Sequence, residues 1–357
     1  MTSSPTSLTS PTSKVSVIIP TYHGEAFVSR TILSVLEQRH VRFEVIVCDD
    51  GSTDDTLRRV AEFGDRLTVL RQANQGVAAA RMHGVGAASG DYLAFLDQDD
   101  LYEPDFLARQ LALLLARPEL GLVYSDSWII DRRDEIRGRR SEYLRYQEGR
   151  VFGSLLAANF IPTETMLLPR RVFEAVGGFR SEFHYLEDWD LCLRIAHRYP
   201  VGFCPEPLAR YRIHGGNLSY HKEPILSEWA IILEQWIDGG TLTSAELEIA
   251  RSGRSLRHGE LALEALKRGD RAAARQRLEA CESLPARLRL QLALISTAQH
   301  LLPEPAFKRL LRIIPRRPLY GVEVEQAAAE PAAPAAETTL PEAPASVLSA
   351  DREVPQR

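Results

Sequence analysis

An α/β fold built on a mostly parallel sheet, followed by a helical C-terminal extension, is predicted by three observations. Four short apolar runs rich in β-branched residues, "KVSVIIP" (14–20), "FEVIVCDD" (43–50), "LTVLRQ" (67–72) and "DYLAFLDQDD" (91–100), have the composition of strands buried on both faces. Stretches with helical spacing lie between them. Strand and helix therefore alternate through about residue 100, the rhythm of a parallel sheet covered by helices.

Between the first two strands, Val28, Ile32, Val35 and Leu36 fall at i, i+4, i+7 and i+8 and make one apolar helix face. After "CDDGSTDD" (48–55), Ser52 with Asp55 three residues on predicts a helix start whose acids favour the dipole. From about residue 121 the rhythm loosens. There "GLVYSDSWIID" (121–131) and "TETMLLP" (163–169) read as strands, 170–176 and 187–198 as helices, and "PLARYRIHGGNLS" (207–219) as a last strand-like run.

Residues 224–317 read as mainly helical. Within them "ALEALKRGDRAAARQRLEACESLP" (262–285) resembles one helix-turn-helix unit of a tetratricopeptide-like array. One unit cannot make a solenoid, so this region is expected to be a helical appendage. The run "FKRLLRIIPRR" (307–317) puts Phe307, Leu310, Leu311 and Ile314 on one helical face and Lys308, Arg309, Arg312 and Arg316 on the other. That pattern suits either an anionic membrane surface or a helix packed on its own domain. The expected division is a disordered lead at 1–13, a sheet domain at 14–220, a helical region at 221–321 and a disordered Ala/Pro/Glu-rich tail at 322–357.

Composition narrows the class. The chain has 357 residues, 45% of them hydrophobic, enough for one large domain or two ordinary ones. A formal charge of −5 argues against a nucleic-acid partner, which calls for a basic face. Cys48, Cys192, Cys204 and Cys281 form no C-x-x-C pair and read as reduced thiols, as in a cytosolic protein. The N-terminus lacks the charged and apolar regions of a secretion signal, and no stretch reaches the roughly 20 apolar residues of a membrane span. The expected location is cytoplasmic, with at most peripheral contact at the inner face of the membrane.

In open parallel sheets ligands sit beyond the carboxyl ends of the strands. Those positions here are Pro20, Thr21 and Tyr22, then Asp49 and Asp50, then Asp97, Asp99 and Asp100. In an extended chain Asp97 and Asp99 point the same way and repel, and a hard divalent cation relieves that repulsion. The alternative is that Asp99 or Asp100 caps the following helix, "EPDFLARQLALLLA". The "GVGAASG" run (84–90) approximates G-x-G-x-x-G but follows a helix and precedes a strand, the reverse of a dinucleotide fingerprint. A P-loop motif is absent.

"VSVIIPTYHGE", "CDDGSTDDT", "NQGVAAARMHG", "GDYLAFLDQDD", "GGF" and "LEDWDLCLR" stand in the order and spacing that resemble family 2 inverting glycosyltransferases of the GT-A fold, over residues 14 to 220. The resemblance implies that Pro20, Tyr22 and Asp50 hold the base and ribose of a sugar nucleotide, with Glu25 close by. It places Arg81 near the diphosphate or sugar, and makes Asp97 and Asp99 a D-x-D motif that meets the diphosphate through Mn²⁺ or Mg²⁺. Asp188 corresponds to the general base and His214 to a position that contacts metal or diphosphate in related enzymes. His23 stands where Asn is commoner, and Met82 where Asn often follows the Arg. The residues taken alone leave other roles open: Tyr22 as packing, Glu187 and Asp188 as helix N-terminal charges ahead of the apolar face Trp189, Cys192, Leu193 and Ala196, and His214 as a surface histidine.

The implied activity is metal-dependent, inverting transfer of a sugar, most naturally UDP-linked, to the hydroxyl of a glycan or lipid-linked acceptor in bacterial cell-surface polysaccharide or glycoconjugate synthesis. The rival reading is an inactive sugar-nucleotide-binding module that acts through its helical C-terminal region. A processive synthase is disfavoured, since Q-x-x-R-W and membrane spans are both absent.

Overall fold

The computed structural model describes residues 13–301. The expectations for 1–12, for the amphipathic run at 307–317 and for the tail at 322–357 lie outside the described residues.

The chain begins as predicted, with β1 (Lys14–Thr21), α1 (Val28–Leu36), β2 (Arg42–Asp49), α2 (Thr56–Ala61), β3 (Thr68–Arg71), α3 (Val77–Ala87) and β4 (Tyr92–Phe95). There follow β5 (Leu101–Tyr102), α4 (Phe106–Ala116), β6 (Leu122–Ile130), β7 (Ile136–Arg139), α5 (Phe152–Ala157), β8 (Leu167–Pro169), α6 (Arg170–Ala175), α7 (Glu187–Arg198) and β9 (Val201–Arg212). The last described elements are α8 (Lys222–Asp238), α9 (Ser244–Arg268), α10 (Arg271–Glu279) and α11 (Ala286–Leu301).

One sheet runs β3-β2-β1-β4-β8-β6-β9-β5, with β7 paired to β6. Strands β1 to β4 pair in parallel, as the alternation predicts. The remainder is mixed: β8 lies antiparallel between β4 and β6, β6 pairs in parallel with β9, and β5 is antiparallel to β9. No single crossover helix joins β6 to β8, which explains why the sequence rhythm fades there.

Each central strand buries both faces. Ile18, Ile46 and Phe95 point into one cluster that includes Trp189 and Leu193 of α7. Val17, Ile19, Val45 and Val47 point the other way, against Ile32 and Val35 of α1 and Phe106 of α4. The period of two along each strand thus feeds two cores.

Four local expectations change. Helix α2 starts at Thr56, and Ser52 does not cap it; its N–H instead donates to the Asp49 carboxylate. Residues Thr163–Thr165 form a 3-10 turn, so "TETMLLP" contributes only Leu167–Pro169 to the sheet. Strand β9 starts at Val201 and ends at Arg212, which leaves His214 in the loop beyond it. Helix α4 begins at Phe106, with β5 before it, so neither Asp99 nor Asp100 caps it.

The helical region is more than an appendage. Ile225, Trp229, Ile232 and Leu233 of α8 join the core of the sheet, where the Trp229 ring lies 4.7 Å from that of Trp189. Helix α9 starts with a capping box between Thr243 and Glu246, ends at Gly269 with φ +88°, and turns into α10 as the repeat-like spacing predicts. Among the described residues no helix is long and apolar enough to cross a membrane.

Helix α3 approaches the sheet through Gly84. A Cβ there would stand 2.6 Å from Ile18 Cγ2 and 2.7 Å from Cys48 Sγ, whereas one at Gly86 would meet nothing within 4 Å. Both lie in the same helix, where alanine gains up to about 1 kcal/mol over glycine. Overpacking costs about 1–3 kcal/mol. Urea unfolding should therefore show Gly86→Ala stabilised by a few tenths to about 1 kcal/mol and Gly84→Ala destabilised; equal effects would show that α3 does not depend on this contact.

Candidate active site

The carboxyl ends of β1, β2 and β4 share one edge because these strands are parallel neighbours. Leu96 N–H donates to Ile18 O and Asp50 N–H to Thr21 O, so the three ends are tied just before their polar residues begin. Gln98, between Asp97 and Asp99, fastens the first end further. Its Oε1 accepts from Thr21 Oγ1 (2.6 Å) and Tyr22 N (2.9 Å), and its Nε2 donates to Tyr22 O (3.0 Å). The middle residue of the D-x-D run is thus a clamp on the Tyr22 backbone, a role its sequence gives no sign of.

Gly84 lets α3 lie close to the sheet, and one turn earlier Arg81 reaches across the strand ends. It is 2% exposed. Its Nη2 donates to Asp97 Oδ1 at 2.6 Å, and its Nη1 donates to Glu187 Oε1 in the first turn of α7. The guanidinium also sits over the Phe179 ring, 5.2 Å from its centroid. Arg81 therefore bridges the end of β4 to the start of α7. Burial, with Asp188 and Asp97 nearby, pushes the Glu187 carboxyl up to about 7 against the pull of Arg81. Arg81 Nε and Glu187 Oε2 are buried with no hydrogen-bond partner among the described residues.

Asp188 is half-buried. Its Oδ2 accepts from Thr163 Oγ1 and its Oδ1 from Trp189 N–H, both at 2.6 Å. Burial raises its carboxyl above the ordinary range; the Thr163 hydrogen bond, Arg81 and the Trp189 N–H hold it down. Its apolar helix face is as predicted, with Trp189, Cys192, Leu193 and Ala196 buried.

Asp97 and Asp99 each keep one carboxylate oxygen without a protein donor among the described residues. Arg81 uses Asp97 Oδ1, and His214 Nε2 lies 2.6 Å from Asp99 Oδ2. Gly216 N–H donates to His214 Nδ1 (3.1 Å), so the ring proton sits on Nε2 and points at Asp99. In this arrangement His214 orients a carboxylate and offers no free nitrogen. Among the described residues no group of three or more His, Cys, Asp or Glu side chains is placed to hold a metal ion, so Asp97, Asp99 and His214 do not form a three-ligand site. Two hard oxygens that remain available do suit a cation which takes one or two carboxylates and completes its shell from phosphates. Asp100 is separate: it is buried and accepts from Arg212 N–H at 2.8 Å.

The remaining expected residues lie around the β1 and β2 ends. Pro20 is buried opposite Cys48. Tyr22 is half-buried and stacks on His23, ring centroids 4.0 Å apart. His23 has φ +50°, a left-handed conformation in which Asn, Asp and His are the tolerated non-glycine residues, so His in place of Asn keeps the backbone. Glu25 is exposed, and its carboxylate accepts from Asp55 N–H at 3.0 Å. Asp50 is turned toward the loop before α3, where it accepts from Gln75 N–H (2.9 Å), Gly76 N–H (2.8 Å) and Gln72 Nε2 (2.8 Å).

Comparison with known proteins follows the same outline. Residues 16–177 match the model of "Glycosyl transferase family 2". An uncharacterized glycosyltransferase of Rickettsia typhi is 30% identical over 56% of this chain and 64% of its own length. The chondroitin synthase of Escherichia coli is 30% identical over 60% of this chain and 31% of its own. The chain thus spans less than two thirds of either relative. The UDP-Glc:alpha-D-GlcNAc-diphosphoundecaprenol beta-1,3-glucosyltransferase of Escherichia coli is 29% identical over 61% of this chain and 85% of its own. Among solved structures, S. aureus TarS 1-349 in complex with UDP-GlcNAc gives a TM-score of 0.58 at 17% identity, over 80% of this chain and 87% of that one. The mannosyltransferase PcManGT of Pyrobaculum calidifontis, in complex with GDP-Man and Mn²⁺, gives 0.54 at 22% identity, over 84% and 83%. The structural likenesses show a shared GT-A fold, and residues 16–177 of this chain carry the match to glycosyl transferase family 2.

Proposed function

We propose that this chain moves a sugar from a UDP-linked donor to an acceptor hydroxyl, with inversion at the anomeric carbon and with a divalent cation. The observation that carries the reading is the frame around Arg81, which joins the β4 end bearing Asp97 to the helix turn bearing Asp188. UDP as the carrier is supported by the names of the glucosyltransferase and TarS relatives. A glycan or lipid-linked acceptor, in cell-surface polysaccharide or glycoconjugate synthesis, is supported by the names of the chondroitin synthase and the glucosyltransferase.

Each group then has a role. Tyr22 faces the uracil and ribose, with Gln98 fixing its backbone. Asp50 orders the loop that leads into α3, and through that loop it sets the nucleotide edge of the site. Asp97 and Asp99 would hold Mn²⁺ or Mg²⁺ through their unused oxygens, with His214 keeping Asp99 in place. A bound cation supplies positive charge to the departing diphosphate. Asp188 accepts the proton of the acceptor hydroxyl, for which it must be ionised. Thr163, Trp189 N–H and Arg81 favour that form against the burial that opposes it.

Asp188→Asn keeps the size and removes the proton acceptor. Transfer should fall on the order of 10² to 10⁴ fold while UDP affinity is retained. A wild-type transfer rate would move the base elsewhere; lost UDP binding or unfolding would make Asp188 structural. Asp97→Asn should weaken Mn²⁺-dependent UDP binding by calorimetry far more than uridine binding, because this carboxylate reaches the nucleotide only through the cation. Equal loss for UDP and uridine, or undiminished UDP binding in chelator, would contradict the metal role.

A further inference from the structure

The reading of Asp188 as the base leaves open what aims it. We infer that Thr163 is a positioning residue for Asp188, its hydroxyl fixing the carboxylate so that the proton-accepting lone pair faces the acceptor. This inference rests on the base assignment proposed above.

The geometry is specific. Both Asp188 oxygens have one donor each at 2.6 Å, Thr163 Oγ1 on Oδ2 and Trp189 N–H on Oδ1. The Trp189 amide belongs to the same helix turn, so it moves with Asp188 and cannot fix it against the rest of the site. Thr163 comes from elsewhere in the chain, and its turn is anchored without α7. Glu164 is buried and pairs with Arg140 at 2.7 Å, and it accepts from Ser127 Oγ of β6 at 3.3 Å. Gln110 of α4, fully buried, donates its Nε2 to Thr165 O at 2.8 Å. Thr165 Oγ1 closes the turn on Pro162 O at 2.7 Å. Arg140 in turn lies over the Tyr211 ring, 4.3 Å from its centroid.

This buried polar set has no obvious place in donor binding. Hydrophobic residues would fill the same space without the cost of burying charge, so its presence calls for a reason. Holding one hydroxyl rigidly against Asp188 is such a reason, since a base must be placed within hydrogen-bond reach of the proton it takes. The other charged or titratable groups that bear on Asp188 are Arg81 from α3, Asp97 from the β4 end, and Glu187 and Cys192 of its own helix. None of them donates a hydrogen bond to its carboxylate.

A hydrogen bond donated to the ionised carboxylate favours that form, so removing it shifts ionisation to higher pH. The test is hydrolysis of UDP-GlcNAc and UDP-Glc by the full chain with Mn²⁺, read as UDP release from about pH 5 to 9. Thr163→Val should move the acid limb of the kcat profile up by about one pH unit, which is about a tenfold loss below the limb, with the KM for donor unchanged. Thr163→Ser, which keeps the hydroxyl, should restore the wild-type limb. An unshifted limb in Thr163→Val, or a loss confined to KM, overturns the inference while an inactive Asp188→Asn keeps the base assignment standing. A fully active Asp188→Asn overturns the base assignment and this inference with it. Independently of turnover, urea unfolding of Thr163→Val, Asp188→Asn and the double variant should show coupling at pH 8 that fades as pH falls and Asp188 takes up a proton. No coupling at pH 8 overturns the inference even where neither donor is hydrolysed.

Discussion

One buried cation organises the site. Arg81 is enclosed by protein and binds two carboxylates from distant parts of the chain, Asp97 at the end of β4 and Glu187 at the start of α7. Three carboxylates, with Asp188, thus surround a single guanidinium; Arg81 and Glu187 are buried, while Asp97 and Asp188 are partly open. Such a set is tolerable only while the cation stays, because a buried charge stripped of its partner costs several kcal/mol, roughly 3–5. The requirement links the parallel half of the sheet to the helix that carries the proposed base. It also explains why α3 must sit so close that residue 84 has no room for a methyl group.

The acids around this centre divide by what they bind. Asp49, Asp50 and Asp100 have their carboxylates turned onto backbone N–H groups of neighbouring loops and strands, and so act as internal fasteners. Asp97, Asp99 and Asp188 are bound on one side and partly open on the other. Groups of the second kind keep an open side with which to meet a ligand. Three carboxylates at the end of a strand therefore have different fates. Asp97 and Asp99 face the site, and Asp100 holds β9 through Arg212.

Much of this was legible in the sequence where the signal is local. The β-branched runs announced β1 to β4, and the spacing of Trp189, Cys192, Leu193 and Ala196 gave the helix that begins at Glu187. Parallel strands force their carboxyl ends onto one edge, so Asp97 and Tyr22 could be placed near each other before any coordinates. The rest is non-local. Gln98 looks like a spacer until the Tyr22 backbone folds against it, and nothing in "IPTETMLLP" marks Thr163 as the partner of a residue 25 positions on. The antiparallel entry of β8 depends on which edge of β4 is free, a property of the assembled sheet. The Trp189–Trp229 contact that draws α8 into the core joins two apolar helix faces whose pairing no periodicity specifies.

The claim that Arg81 holds the site together is tested most directly by the stability of Arg81→Met across pH. A carboxyl whose ionised form is disfavoured in the folded state lowers stability as pH rises through its titration, and Glu187, already pushed up to about 7, loses its counter-charge in this variant. Urea unfolding should therefore show Arg81→Met less stable than wild type by several kcal/mol, roughly 3–5, at pH 8. The gap should narrow toward pH 5 as Glu187 becomes protonated in both proteins. A gap that is absent at pH 8, or that is the same at both pH values, would contradict the account.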